Sequence, residues 1–205
     1  MLDSTIVTSI MFAIYVIFLS LLLRKVSTIR KLIPLITAAG LGLGLGILSA
    51  MVAGVFSSIE VYFMHMNNQG KLRILLVGPV QEEIAKFVCF ILAYGCIMQL
   101  SRLSGEEKSK IENVKSLIVL GAMVGLVFAL LENLNSYGNL TTLGTLGRTV
   151  LDWPLHMIEV GISACGFHIY KKYKNTSLLW GIEIIIIFLL LAIVIHCLFN
   201  RLVTF

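Results

Sequence analysis

Long apolar segments dominate the chain, and they restrict its fold more than any other feature. A helix needs about 20 mostly apolar residues to cross the hydrocarbon core of a bilayer. Six segments qualify, over residues 5–23, 32–56, 72–100, 116–137, 149–170 and 178–203. With 58% hydrophobic and 13% charged residues, the 205-residue chain is expected to form a single membrane domain over residues 1–205. The sequence therefore predicts an all-α integral membrane protein, a bundle of about six transmembrane helices.

Basic residues between the segments predict the orientation of the bundle. Cytoplasmic loops carry an excess of lysine and arginine, and most of the basic residues here follow the first, third and fifth segments. They are Arg24, Lys25, Arg30, Lys31, Arg102, Lys108, Lys110, Lys115, Lys171, Lys172 and Lys174. The net charge of +5 thus reflects topology rather than a nucleic-acid partner. We expect a multi-pass protein of the cell membrane, surrounded by lipid, with both termini extracytoplasmic.

The second segment contains alternating glycines, from Gly40 to Gly46. Their spacing lacks the GxGxxG pattern of a dinucleotide-binding loop. It provides overlapping GxxxG pairs instead, which let transmembrane helices approach each other closely.

The third segment carries Glu82, Glu83 and Lys86 within its apolar sequence. Each charge at the bilayer centre costs roughly 2.5 to 3.5 kcal/mol, so these side chains must face protein or trapped water. On a helix, Lys86 is close enough to pair with either carboxylate. Two adjacent carboxylates do not both ionise easily, so one is expected to hold a proton or to pair with the lysine. A structural ion pair and a catalytic pair explain this motif equally well.

Polar residues also interrupt the last three segments. Ionisable side chains inside a span are functional candidates, because lipid offers them no partner. They are Glu132 and Asn133 in the fourth segment, Asp152, His156 and Glu159 in the fifth, and His196 and Asn200 in the sixth. Taken alone, each is explained more simply by packing or by snorkelling towards the interface. We assign Asp152 and Glu159 no role from the sequence.

These polar residues are expected to meet at one depth. Glu82 and Glu83 lie about ten residues, or ~15 Å, inside the outer end of their helix. Glu132, His156 and His196 also fall in the outer halves of their spans. Independent structural roles would have to coincide at this depth, so we expect a polar intramembrane cavity. Glutamate and histidine without a nucleophilic Ser or Cys favour activation of water, by a carboxylate base or by a metal.

In this order, the motifs resemble those of the PrsW family of intramembrane proteases, which is related to the CAAX prenyl protease and Abi group. The matching residues are Glu82, Glu83 and Lys86 (Glu-Glu-x-x-Lys), Phe128, Glu132 and Asn133 (Phe-x-x-x-Glu-Asn), Arg148 with His156, and His196 with Asn200 (His-x-x-x-Asn). Lys86, and a glutamate at position 132 where the relatives have histidine, favour PrsW over those relatives. The resemblance covers about residues 78–201.

The resemblance implies site-1 cleavage of a single-pass membrane protein, such as an anti-sigma factor, near the outer face. The expected catalytic residues are Glu82, Glu83, Lys86, Glu132, His156, His196 and Asn200. One adjacent glutamate acts as general base on water, Lys86 holds the other, and Asn200 donates to the tetrahedral oxyanion. Glu132, His156 and His196 have the composition of a zinc site, but the chain has no HExxH motif. Zinc-dependent and metal-free water activation both stay open.

Two other classes of protein fit parts of the pattern. A proton-coupled transporter also uses intramembrane glutamate and histidine, but it should show internal repeats and polar groups leading to both faces. The inner halves of these spans are almost entirely apolar. A non-catalytic membrane chaperone or immunity protein would keep the bundle without the chemistry, and its activity would survive loss of Glu82 and Glu83.

Overall fold

The computed structural model describes residues 4–25, 76–104, 112–136 and 142–204, and these ranges contain five α-helices and no strand. The helices are α1 (Ser4–Lys25), α2 (Gly78–Ser104), α3 (Val114–Ser136), α4 (Thr142–Tyr173) and α5 (Leu178–Thr204). The all-α prediction is confirmed for these ranges. The predicted span 32–56, with its alternating glycines, lies outside the described residues.

Helices α1, α3 and α5 follow the predicted segments closely, whereas α4 is longer than its segment. It begins at Thr142 instead of residue 149. The added turns contain threonine and glycine and are too polar to be recognised as part of a span. They remain helical because Thr145 and Thr149 are buried, and the Thr149 hydroxyl donates to the carbonyl of Leu146 over 2.9 Å.

Two helices in the described ranges are long and apolar enough to cross a membrane, Val114–Asn133 within α3 and Leu178–Leu202 within α5. Large apolar side chains are exposed along the outer faces of the bundle, where lipid would solvate them. On α1 and α5 they include Ile6, Ile10, Ile14, Ile17, Ile186, Ile187, Leu190, Leu191 and Val194. The number of six spans stays a prediction.

Helix α4 contacts all four of the other helices and approaches α3 most closely. Gly121 and Gly125 of α3 form a GxxxG pair that faces α4. A Cβ atom at Gly121 would lie 2.7 Å from the carbonyl oxygen of Val160, and one at Gly125 would overlap the carbonyl group of His156. The absence of side chains at these two glycines therefore sets His156 directly against α3.

Aromatic contacts hold α1 and α2 against α4. The Tyr15 hydroxyl of α1 donates to the Thr149 carbonyl over 3.0 Å, and the Phe12 and Tyr15 rings pack against Trp153. On α2, Phe90 packs edge-on against Phe167 at a centroid distance of 5.6 Å. These apolar contacts fix the helices that carry the polar residues of the bundle.

A small polar group joins α2, the residues just before α3 and the end of α4. The Tyr94 hydroxyl donates to Glu112 over 2.7 Å, and Lys171 contacts both side chains. The ammonium of Lys171 also lies 4.4 Å from the centroid of the Tyr94 ring. We call Tyr94, Glu112 and Lys171 the lysine clamp. It lies about 22 Å along α4 from His156, because a helix rises 1.5 Å per residue.

Candidate active site

Three helices bring five ionisable side chains together in the interior of the bundle. Helix α2 supplies Glu83 and Lys86, α4 supplies His156 and Glu159, and α5 supplies His196. None of these side chains is more than 5% exposed. We call these five residues the deep cluster, namely Glu83, Lys86, His156, Glu159 and His196. Their burial was expected for charges that cannot face lipid.

Lys86 is the centre of the deep cluster. Its Nζ atom lies 2.8 Å from Glu159 Oε2 and 2.7 Å from His156 Nδ1, and it also contacts Glu83 Oε1. An ammonium group has three N–H donors and no acceptor. The three contacts therefore use all of its donors, and His156 Nδ1 must accept. Lys86 thus fixes the tautomer of His156, with the proton on Nε2.

A second group of polar residues holds His156 from its other side. Arg148 donates to Glu132 Oε1 at 3.0 Å, to Asp152 Oδ2 at 2.6 Å and to Asn133 Oδ1 at 3.3 Å. The remaining oxygen of each carboxylate faces His156 Nε2, at 3.0 Å for Glu132 and 3.5 Å for Asp152. We call Glu132, Asn133, Arg148 and Asp152 the rim cluster, because Arg148 and Glu132 are 25% and 19% exposed.

A carboxylate from α2 orients His196. Its Nδ1 atom lies 2.8 Å from Glu83 Oε1, and its ring packs edge-on against His156 at 5.3 Å between centroids. A histidine that ligates a metal commonly donates its other ring N–H to a carboxylate. Donation from Nδ1 leaves the Nε2 lone pair of His196 available, and that atom lies 3.7 Å from Glu82 Oε2.

The two clusters and the adjacent Glu82 together contain more negative than positive charge. Glu82, Glu83, Glu132, Asp152 and Glu159 are opposed by two permanent cations, Lys86 and Arg148. Within the ranges that the structure describes, one buried oxygen on each of Glu82, Glu83 and Glu159 has no hydrogen-bond partner. Buried carboxylates require a counter-charge or a hydrogen bond. Surplus negative charge, orphaned oxygens and two oriented imidazoles fit a divalent cation such as zinc.

The structure joins six of the seven expected catalytic residues into one network of polar contacts. They are Glu82, Glu83, Lys86, Glu132, His156 and His196. The seventh, Asn200, lies one turn after His196 on α5 and is partly buried. All seven assignments stay predictions of function, because a shared location does not test a role.

The expected zinc ligands do not form one compact group. The closest sets of ligand atoms are Glu83, His156, Glu159 and His196 on one side, and Glu132, Asp152 and His156 on the other. Within each set, the atoms lie within 4.8 Å of one another. His156 belongs to both sets, whereas Glu132 and His196 are separated between them. The set of Glu132, His156 and His196 stays a prediction, and the structure places Glu132 and His196 in different groups of possible ligands.

Glu159 and Asp152 are the residues of the network to which the sequence assigned no role. Glu159 is fully buried and contacts Lys86, His156 and His196. The signal in the sequence was their spacing, because Asp152 precedes His156 by four residues and Glu159 follows it by three. These spacings place the carboxylates on the same helical face as the imidazole.

Comparison with protein families gives one match. The model of the PrsW family, described as an intramembrane metalloprotease family, matches residues 32–205. Comparisons with curated proteins and with solved structures gave no match. The matched range contains every residue of the deep and rim clusters, and α1 precedes it.

Proposed function

Because the chain belongs to the PrsW family of intramembrane metalloproteases, we propose that it hydrolyses a peptide bond of a membrane-anchored protein inside the bilayer. The observation that carries the proposal is the surplus of buried carboxylates around two oriented imidazoles. Charges this deep in a bundle of apolar helices are costly, so ionisable residues found there are candidates for a function. Water activation by carboxylates needs this composition, and no Ser or Cys nucleophile is required.

We assign the general base to Glu82. Its side chain is 26% exposed, whereas Glu83 is 1% exposed and already contacts Lys86 and His196. The Glu82 carboxylate takes a proton from water while the water oxygen attacks the carbonyl carbon of the scissile bond. The proton then passes to the amide nitrogen, the C–N bond breaks, and a carboxylic acid and an amine are released. Glu83 holds Lys86 and His196 in place during these steps.

Asn200 is assigned to the oxyanion. Its side-chain amide has two N–H donors, and it lies one helical turn from His196. A donor to the oxyanion of a tetrahedral intermediate typically contributes about 3 to 4 kcal/mol to lowering the barrier. Asn200→Ala should accordingly slow the chemical step and leave the polar network of α2 and α4 intact.

A metal would be held by His156 and His196 together with a carboxylate from Glu83, Glu132 or Glu159. For His156 to bind it through Nε2, the ring proton would have to move to Nδ1, where Glu159 Oε2 lies 3.3 Å away and can accept it in a hydrogen bond. The donor set suits zinc, which accepts imidazole nitrogen and carboxylate oxygen. When bound, zinc supplies a Lewis acid that polarises water and the scissile carbonyl group. The chain's own residues would provide the orientation through carboxylates: Glu83 lies against Nδ1 of His196, and Glu159 lies against Nδ1 of His156.

The substrate we propose is a single-pass membrane protein, such as an anti-sigma factor, cut near the outer face. This part of the proposal is supported by the family and by the distribution of basic residues, which favours extracytoplasmic termini in a six-span, multi-pass protein. Impermeant labelling of Thr141→Cys and Ser109→Cys, each on a cysteine-free background, tests it. Labelling at 141 from outside is expected, and labelling at 109 instead would reverse the orientation.

The proposed function is tested by cleavage of a transmembrane test substrate in detergent. Glu82→Gln and Glu83→Gln keep the side-chain shape but remove the carboxylate, so each should lower kcat/KM by about 10²- to 10⁴-fold. Glu183→Gln is the control, because Glu183 is exposed on α5 and should leave turnover unchanged. Near-normal turnover in both site variants would contradict catalysis and favour a non-catalytic membrane protein.

A further inference from the structure

The side-chain amide of Asn133 on α3 is buried, and of its two polar groups the oxygen is hydrogen-bonded and the nitrogen is not, within the described residues. Its side chain belongs to the rim cluster, and the residue is 4% exposed. Arg148 Nε donates to Asn133 Oδ1 over 3.3 Å. Since a guanidinium nitrogen only donates, the oxygen of the amide must face Arg148. The NH₂ group is thereby set as a free donor, and Asn133 Nδ2 has no hydrogen-bond partner in the described part of the chain.

An unpaired buried donor is costly, and its best partner is an acceptor that arrives with a ligand. The proposed substrate supplies such an acceptor. A transmembrane helix must unwind locally before a peptide bond can be cut, and each freed carbonyl oxygen then lacks a partner in the hydrocarbon region. An unpaired N–H donor of the enzyme can hydrogen-bond to one of these oxygens. The enzyme then gains an acceptor and the substrate gains a donor.

The position of Asn133 suits a contact beside the scissile bond rather than at it. Glu132, the preceding residue, reaches His156 Nε2, and Asn133 itself is bonded to Arg148. Both Glu132 and Arg148 are partly exposed, so the rim cluster is more open than the deep cluster. Water activation is assigned to Glu82, which lies outside both clusters, is 26% exposed and faces His196 of the deep cluster at 3.7 Å.

We infer that Asn133 Nδ2 donates a hydrogen bond to a backbone carbonyl oxygen of the unwound substrate segment next to the cleavage site. The inference rests on the proposed proteolytic function and adds a substrate-binding residue to it. Because the contact is made before and throughout the reaction, its loss should weaken binding without slowing the chemical step.

The first test is steady-state cleavage of a synthetic transmembrane peptide by the purified full-length protein. Asn133→Ala and Asn133→Asp should raise KM about tenfold and leave kcat within about twofold. Asn133→Asp keeps an oxygen for Arg148 and so separates loss of the donor from disruption of the rim cluster. The control is Ser163→Ala on α4. It removes the Ser163 hydroxyl, which is also buried and has no hydrogen-bond partner among the described residues, and it should leave KM unchanged.

A second measurement identifies the carbonyl itself. A series of substrates would carry one backbone ester each, since an ester carbonyl accepts hydrogen bonds more weakly than an amide carbonyl. One ester position should raise KM for the wild-type protein and have little further effect in Asn133→Ala. Coupling of this kind between one enzyme residue and one substrate atom is what a direct contact requires.

The outcomes separate this inference from the proposed function. Wild-type cleavage with unchanged KM in both Asn133 variants would overturn the hydrogen bond and leave proteolysis standing. A parallel fall of kcat and melting temperature, with KM unchanged, would show that Asn133 only supports the fold and would also overturn it. Absence of cleavage by the wild-type protein would remove both proposals together.

Discussion

The deep cluster and the lysine clamp each place a lysine beside carboxylate and aromatic groups from several helices, but their charge balance differs. Lys171 meets one carboxylate, Glu112, and the two side chains are 15% and 24% exposed. Lys86 lies between Glu83 and Glu159 with no exposure, and further carboxylates surround it. A matched, partly exposed pair is sufficient to fasten helix ends. The surplus of buried negative charge is what distinguishes the candidate site from a structural contact.

The largest difference between the two regions should appear in metal content. His156→Ala removes a proposed ligand, so zinc retention should fall by more than about tenfold and turnover should be lost. His168→Ala, near the clamp, should change neither, because His168 lies far from the proposed ligands and its Nδ1 is 3.0 Å from the backbone carbonyl oxygen of Glu112. Elemental analysis of identically purified proteins, with and without a strong chelator, measures this.

Zinc retention should also depend on pH, and one result would contradict the zinc proposal. Imidazole binds metal only when it is neutral, so zinc retention should decrease as the pH falls. His196→Ala should behave as His156→Ala does, whereas Asn200→Ala should retain the metal. An active wild-type protein without metal would contradict the zinc proposal and leave Glu82 and Glu83 to activate water alone.

The next largest difference should appear in stability. Lys86→Met leaves buried carboxylates without their cation, and it should lower the free energy of unfolding by about 3 to 5 kcal/mol. Lys171→Met removes a partly exposed pair and should cost about 0 to 1 kcal/mol. Denaturant unfolding in one detergent, with chelator present, compares them. Equal losses would mean that the two lysines do the same structural work.

The smallest difference should come from two glycines. Gly125→Ala places a methyl group against the backbone of His156, and overpacking of this kind costs about 1 to 3 kcal/mol. It should also lower turnover by displacing the imidazole. At Gly95, beside Tyr94 of the clamp, an added methyl group would have no neighbouring atom within 4 Å, so Gly95→Ala should stabilise its helix by about 0.5 to 1 kcal/mol. Unchanged melting and turnover in Gly125→Ala would contradict the close approach of α3 and α4.

Most helix positions were predictable from the sequence, because a long apolar segment has few folded states available in a bilayer. The start of α4 was not, since Thr145 looks polar in sequence and is buried only through tertiary packing. The GxxxG pair of Gly121 and Gly125 is visible in the sequence, but the spacing alone does not reveal its use. Its importance depends on which face of α3 meets α4, and that rotation is a tertiary property.

The candidate site was predictable in its residue types and only partly in its pairing. Each motif showed a polar residue inside an apolar segment, and burial of charge requires partners. The sequence did not reveal that Glu159 joins Lys86 and both imidazoles, since these groups come from three helices. Spacing along one helix identifies a face, whereas the assignment of partners depends on how the three faces meet.

The length of α5 bears on how the site would respond to the thickness of a surrounding bilayer. It has 27 residues and a length of about 40 Å, which exceeds the roughly 30 Å hydrocarbon core. A span longer than the hydrocarbon core tilts, kinks or thickens the bilayer locally, and the adjustment changes with lipid chain length. One end of α5 is attached to α2 through His196 and Glu83, while Gly181 near the other end packs against Tyr170. We therefore expect hydrophobic mismatch to act on the bond that orients His196, which would make the membrane part of the geometry of the site.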